Sequence, residues 1–306
     1  MKKICLLLVL ALALALSGCA AAEEKTVMAS FYPVYILARN VLENVPDVTL
    51  LCMTAPTTGC LHDYQLLTSD MRALAGASAF IINGAGMESF LPDVQAQLPE
   101  LPVIDCSQSI ELIAEEEHEE EEHEEEHEEH EEHHHHGAYN AHIWLAPRNA
   151  VQMVRNIAEG LSALFPEHQR QLTENAEAYI AKLEALDAEL SAAIGALPNK
   201  TIVTFHEAFP YFAQAYGLNV AAVAALEPDE PVSPKMLAEL TETVRLNGNP
   251  PLFSEPQYEN AALMAVHQET GAPVYELDPL VTGDGSLTAY EDVQRNNLKV
   301  LVEALQ

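Results

Sequence analysis

Thirteen histidines occur in the 306 residues, and three of them share a context that suits metal binding. His62 lies in GCLHDY, in the loop after a strand-like run. His206 ends the run KTIVTF and opens HEAFPYF. His142 stands just before IWLAP, at the threshold of a helical pattern. Each falls on a strand-to-helix connection, and in open α/β sheets ligands bind in the crevice beyond the carboxyl ends of the strands. A lone histidine in such a place is more often structural. Three, spread over both halves of the chain, point to one shared site between two lobes. Asp278, in YELDPL, follows a strand in the same way. Three neutral imidazoles and a carboxylate suit a borderline-soft divalent ion in tetrahedral coordination, Zn(II) first. His168 and His267 sit inside polar helical patterns and read as solvated surface residues.

The other eight histidines, His118, His123, His127, His130, His133, His134, His135 and His136, alternate with fourteen glutamates between Glu115 and His136. Nothing in this strip can enter an apolar core; its partners are ions and water. Of the net charge of −33, the strip carries −14 and the rest −19. Lys and Arg total 14 and form no stripe, so a nucleic-acid partner is excluded and cations are attracted. HEEEH and HEEHH inside the strip match the H-E-x-x-H pattern of zinc proteases. In a Glu/His polymer such matches are nearly unavoidable, and no apolar residue there could hold a rigid catalytic helix.

These residues need elements to position them. KTVMAS, VTLLCM, SAFIING and LPVIDCS read as strands, with a helical pattern in DYQLLTSDMRALAGA between the second and third. After the strip, PRNAVQMVRNIAEGLSALFP reads as a helix, with Pro147 near its start and Pro166 beyond its end. A second helical pattern covers about Glu167 to Leu197. Its apolar stripe is Leu172, Ala176, Tyr179, Leu183, Leu186, Leu190 and Ile194. At 1.5 Å per residue such a helix is about 45 Å long, too long for one small lobe and suited to a strut between two. The second half repeats the rhythm: strands KTIVTF, NVAAVAAL, PPLFSE and PVYELD alternate with four helical patterns. Strand–helix alternation implies an α/β fold of two lobes, each a mainly parallel sheet flanked by helices, joined by one long rigid helix. The expected divisions are 25–165 for the N-terminal lobe, with a disordered loop at 115–136, 166–197 for the linking helix and 200–306 for the C-terminal lobe.

Residues 1–19 are a targeting signal: Lys2 and Lys3, an apolar run from Ile4 to Leu16, then LSGC ending at Cys19. The small residues before Cys19 resemble a bacterial lipobox, which implies lipidation of Cys19 and anchoring of the mature chain outside the cytoplasm. No other segment is long and apolar enough to cross a membrane. That compartment permits disulfides. Cys52 and Cys60 flank the turn-rich MTAPTTG and could pair, while Cys106, after a strand-like run, reads as a small buried core residue.

The chain resembles the metal-binding solute receptors of bacterial ABC transporters, the zinc and manganese group called cluster A-I. The resemblance covers nearly all of the mature chain: the lipobox, ASFYPVY, HDYQL, INGAGMESFL, the acidic His-rich insertion, HIWLAP, FHEAFPYFAQAYGL, EPDEPVSP, FSEPQY and ELDPL. It implies that His62, His142, His206 and Asp278 are the metal ligands. It also implies that the strip is an auxiliary metal-collecting loop. A His at position 206, where manganese-type members usually carry a carboxylate, implies Zn(II) as the transported ligand in preference to Mn(II). Two departures stand out. Leu61 replaces the acidic residue that zinc members often place before the first His, which makes Asp278 the leading fourth ligand. The Cys52–Cys60 stretch is unlike the usual PPGxxPH form. The implied partners are a permease with its cytoplasmic ATPase, and the membrane through the lipid anchor; the chain is expected to act as a monomer and not as an enzyme. The competing readings are a manganese receptor of the same family, a zinc-dependent hydrolase with Glu207 as its nearest carboxylate, and a metal-storage or adhesin lipoprotein.

Overall fold

In a computed structural model the described residues are 24–55, 61, 64–114, 138–224, 232–257 and 261–306. They form two four-stranded sheets in which every pairing is parallel. The first sheet contains β1 (Lys25–Ala29), β2 (Val48–Cys52), β3 (Ala79–Ile82) and β4 (Val103–Asp105), in the order β2-β1-β3-β4. The second contains β5 (Thr201–Thr204), β6 (Asn219–Val223), β7 (Leu252–Ser254) and β8 (Val274–Glu276), in the order β6-β5-β7-β8. The two sheets therefore share one topology. In each, the chain moves outward on one side of its first strand and then crosses to the other, leaving a crevice between the first and third strands. That crevice lies between β1 and β3 in one sheet and between β5 and β7 in the other.

Helices α1 (Tyr32–Val41), α2 (Thr68–Ala75) and α3 (Leu91–Gln97) connect the strands of the first sheet. A 3-10 turn (Ile143–Leu145) then leads into α4 (Pro147–Leu164), where Pro147 sits at the first helical position, its fixed φ suiting the start of a helix. The expected strut is α5 (Gln169–Gly195), 27 residues long, about 40 Å. The Pro166–His168 stretch ahead of it is a separate 3-10 turn. The buried residues of α5 are Leu172, Ala176, Tyr179, Leu183, Leu186, Leu190 and Ile194, the stripe expected from the sequence. They pack on α1 and α4 from one side and on α6 (Pro210–Tyr216) and α9 (Ala289–Leu305) from the other. One core of buried residues consequently runs without a break from β1 and β3 through α4 and α5 to α6 and α9. A smaller core, including Val203, Leu240, Val244, Leu252 and Val266, lies between the second sheet and helices α7 (Pro234–Leu246) and α8 (Ala261–Thr270). Among the described residues no helix is long and apolar enough to cross a membrane.

Cys106 is fully buried, as its context suggested, and burial pushes its thiol well above the usual range. His168 and His267 depart from expectation. The side chain of His168 is only 12% exposed. The Nδ1 of His267 lies 2.7 Å from the carbonyl of Ala272, beyond the end of α8, so the ring folds back over the helix terminus. Residues 1–23 with Cys19, the Glu/His strip and Cys60 lie outside the described residues. On either side of the strip, Ala114 and Tyr139 form an antiparallel bridge.

Candidate metal centre

His206 follows β5 and is completely buried; His142 precedes the 3-10 turn and is 2% exposed. The two rings come together at the carboxyl end of the second sheet, with centroids 5.1 Å apart and planes 68° to one another. Their Nε2 atoms are 3.2 Å apart.

The partners of each ring decide what those nitrogens can do. Asn140 is held in one orientation: its Nδ2 donates to the carbonyl of Glu207 at 2.9 Å, and its Oδ1 accepts the backbone N–H of His142 at 3.0 Å. The Nδ1 of His142, 3.2 Å from that same Oδ1, must therefore be the donor. The Nδ1 of His206 contacts Oε1 of Glu255, the residue that follows β7, and an ionised carboxylate can only accept. On this assignment both Nδ1 atoms carry a proton, and with both rings neutral the two Nε2 lone pairs face a common point. At 3.2 Å two lone pairs repel unless a positive centre lies between them. Two nitrogens each about 2.05 Å from a tetrahedral Zn(II) stand about 3.3 Å apart. The pair therefore already has the separation of two ligands on one ion.

The turn that carries His142 is tied to both crevices. Asn83, just after β3, donates from Nδ2 to the carbonyl of Ala141 at 2.9 Å. Asn83 and Gly84 in turn donate their backbone N–H groups to the two carboxylate oxygens of Glu88, at 2.8 and 3.0 Å. Gly84 has φ of +77°, and a Cβ there would fall 2.0 Å from Oδ1 of Asp105, so only glycine fits. Glu88 is 5% exposed. Burial pushes its carboxyl from 4.5 up to about 7, against the opposing effect of those hydrogen bonds.

Asp278 follows β8, on the same edge of the second sheet. Its Oδ1 accepts from the N–H of Leu280 at 2.7 Å and from Nε2 of Gln257 at 3.2 Å. Burial raises its carboxyl above the usual range, and the Leu280 and Gln257 bonds oppose that rise. Its neighbour Pro279 accepts from Nε1 of Trp144 at 2.9 Å, which ties the Asp278 loop to the His142 turn. Among the described residues, however, no three His, Cys, Asp or Glu gather as a ready metal cluster. The structure joins His142 to His206 and leaves Asp278 outside that pair. His62 lies outside the described residues, although its neighbour Leu61 is fully buried. Asn140, Glu255 and Glu88 were not identified from the sequence. Asn140 lies two residues before His142, the pairing of β7 with β5 places Glu255 beside His206, and Glu88 reaches the His142 turn only through Asn83.

The sequence profile of the family described as zinc-uptake complex component A, periplasmic (ZnuA), matches residues 27–304. The zinc-binding lipoprotein AdcA of Streptococcus pneumoniae serotype 4 (strain ATCC BAA-334 / TIGR4) is 32% identical over 313 residues, covering 98% of this chain and 60% of that protein. The high-affinity zinc uptake system protein ZnuA of Haemophilus ducreyi is 34% identical over 279 residues, 88% of this chain and 89% of the relative. Among solved structures, the Zn(II)-bound ZnuA-like domain of Streptococcus pneumoniae AdcA superposes with a TM-score of 0.74 at 26% identity, over 92% of this chain and 99% of that domain. The chain spans 51–60% of the length of the AdcA proteins it matches. The profile spans nearly the whole chain, and the twin parallel sheets agree with the superposed AdcA domain: the chain belongs to the ZnuA family of zinc-uptake components.

Proposed function

We propose that this chain is an extracytoplasmic receptor that captures Zn(II) between its two lobes and delivers it to a membrane ABC importer, without catalysing a reaction. The observation that carries this reading is the 3.2 Å approach of two buried Nε2 atoms, each on a ring whose Nδ1 meets a side-chain oxygen behind it. In this reading His142 and His206 supply two ligands and His62 a third. Asp278 supplies the fourth, which requires its carboxylate to turn from its present partners. The names of the relatives, which are zinc proteins, support Zn(II) over Mn(II) as the ligand. The lobes are 25–165 and 200–306, on either side of the 166–197 segment. Cys19 carries the lipid anchor, the Glu/His strip collects ions, and a permease with its cytoplasmic ATPase receives the ion.

The test is zinc affinity of the full chain by chelator competition, with Mn(II) as comparison. His142→Ala and His206→Ala should each weaken zinc by at least about 100-fold, since each removes one of four ligands. Deleting 115–136 should leave tight binding intact and lower only the number of weakly held ions. Tight zinc binding that survives both histidine changes and disappears with the strip would refute the assignment.

A further inference from the structure

We propose that Glu255 is the positioning residue of this metal centre: its carboxylate locks His206 with Nδ1–H turned inward and Nε2 turned towards His142, and it supplies negative charge behind the ligand. The inference rests on the metal-capture reading above and adds a residue to it.

Both side chains are buried, His206 at 0% and Glu255 at 1% exposure. A carboxylate at such depth is tolerated only with strong compensation. One oxygen meets the His206 ring, but the other, Oε2, has no hydrogen-bond partner among the described residues. A buried polar atom left in this state requires an explanation. A dication held at the Nε2 of His206 provides one, because its charge stabilises the whole carboxylate through the ring.

The two orienting groups also differ. His142 is backed by a neutral amide, Asn140, and His206 by an acid. A carboxylate behind a metal-bound imidazole fixes the tautomer and makes the ring a stronger donor. The position is built into the scaffold. Glu255 directly follows β7, which pairs with β5 through Val203–Leu252 and Thr204–Phe253, and His206 leaves the end of β5. The carboxylate therefore stands behind the ring as a consequence of strand pairing and does not depend on a bound ion.

The experiment compares the full chain with Glu255→Gln, Glu255→Asp and Glu255→Ala. Ring-nitrogen NMR on the metal-free protein at pH 8.5 reads the tautomer of His206 directly. Chelator competition reads the zinc dissociation constant, and a thermal melt verifies folding. Wild type should show the Nδ1–H form. In Glu255→Gln the amide can rotate and offer N–H to the ring, so a mixture of tautomers should appear and zinc affinity should fall about ten- to hundredfold. Glu255→Asp keeps the charge but is one methylene shorter, and should recover part of that loss. If Glu255→Ala fails to fold, the Gln and Asp variants decide. An unchanged tautomer and a dissociation constant within twofold of wild type in Glu255→Gln would overturn the proposal. If the wild-type chain binds no zinc but the tautomer still responds to Glu255→Gln, the functional reading falls and the positioning role stands.

Discussion

The Glu88 carboxyl makes the stability of this fold depend on pH in a direction opposite to that of most acids. It sits against the N–H groups of Asn83 and Gly84 with a value raised from 4.5 to about 7 by burial. A carboxyl raised in the folded state binds its proton more tightly there than in the unfolded chain. Its contribution is fully present below pH 4.5 and is lost as pH rises through 7. At 1.36 kcal/mol per unit, the loss between pH 5.5 and pH 8.5 is about 2 kcal/mol. For a protein of this size, at about 2.1 cal/mol/K of unfolding entropy per residue, that corresponds to about 3 °C in melting temperature. Glu88→Gln removes the titration but keeps the volume. It also turns an amide N–H towards one of the two backbone donors, costing about 1–3 kcal/mol. The variant should therefore be less stable than wild type at pH 5.5, and the gap should narrow by about 2 kcal/mol by pH 8.5. Denaturant melts of both proteins in metal-free buffer measure this, and the difference between them cancels the titration of the histidines. A gap that stays constant across the range would mean that Glu88 does not titrate there and that the burial argument is wrong.

Asn140 is 1% exposed and orients His142 while bonding to Glu207. Asn140→Ala removes the bonds to the His142 N–H and to the part-buried Glu207 carbonyl, so a loss of about 1–3 kcal/mol in chemical denaturation is expected, together with weaker zinc binding. Asn140→Asp keeps the acceptor for His142 and should retain more zinc affinity than stability; equal losses of both would contradict the orienting role. Gly283 faces Tyr32, and a Cβ there would stand 2.1 Å from the phenol oxygen. Tyr32 is buried and accepts the N–H of Gly285 at 3.1 Å. Gly283→Ala should thus destabilise the fold by about 1–3 kcal/mol, and an unchanged melt would show that the ring moves freely.

What could be read from the sequence follows from range. The stripe on α5 was legible in full because helical periodicity is local and every stripe residue meets the same core. By contrast α3 buries only Val94, too little to leave a periodic signal. The strand–helix rhythm implied parallel sheets, but the order β2-β1-β3-β4 and its repeat depend on long-range crossovers that no short stretch encodes. At the site, His206 was recognisable because it follows a strand, and His142 because it stands just before a helical pattern. Glu255 and Asn140 were not, because an acid or an amide in a turn is ordinary. Their importance appears only when β7 lies beside β5 and the 140–145 turn crosses between the crevices. His267 was misplaced for a similar reason: the carbonyl it contacts lies five residues on, past the end of α8.

That turn also bears on how the site can move. His142 precedes α5 in the chain, yet its surroundings are held largely by residues that follow α5. Tyr211 donates to the carbonyl of Asn140 at 2.7 Å, Tyr290 to that of Trp144 at 2.7 Å, and Gln294 to that of Leu145 at 2.9 Å. Trp144 donates to Pro279, and Asn140 to Glu207. On the N-terminal side, Asn83 holds Ala141. The separation of the two imidazoles is therefore set largely by bonds to the C-terminal half. Elsewhere α1 grips the 283–287 segment: Tyr32 accepts from Gly285, Arg39 bonds to the carbonyl of Gly285, and Asn40 donates to that of Leu287 at 3.2 Å. A wide hinge opening would have to break these bonds and shear the core along α5. Rearrangement of loops around a standing pair of histidines breaks none of them, and it is the motion this architecture favours.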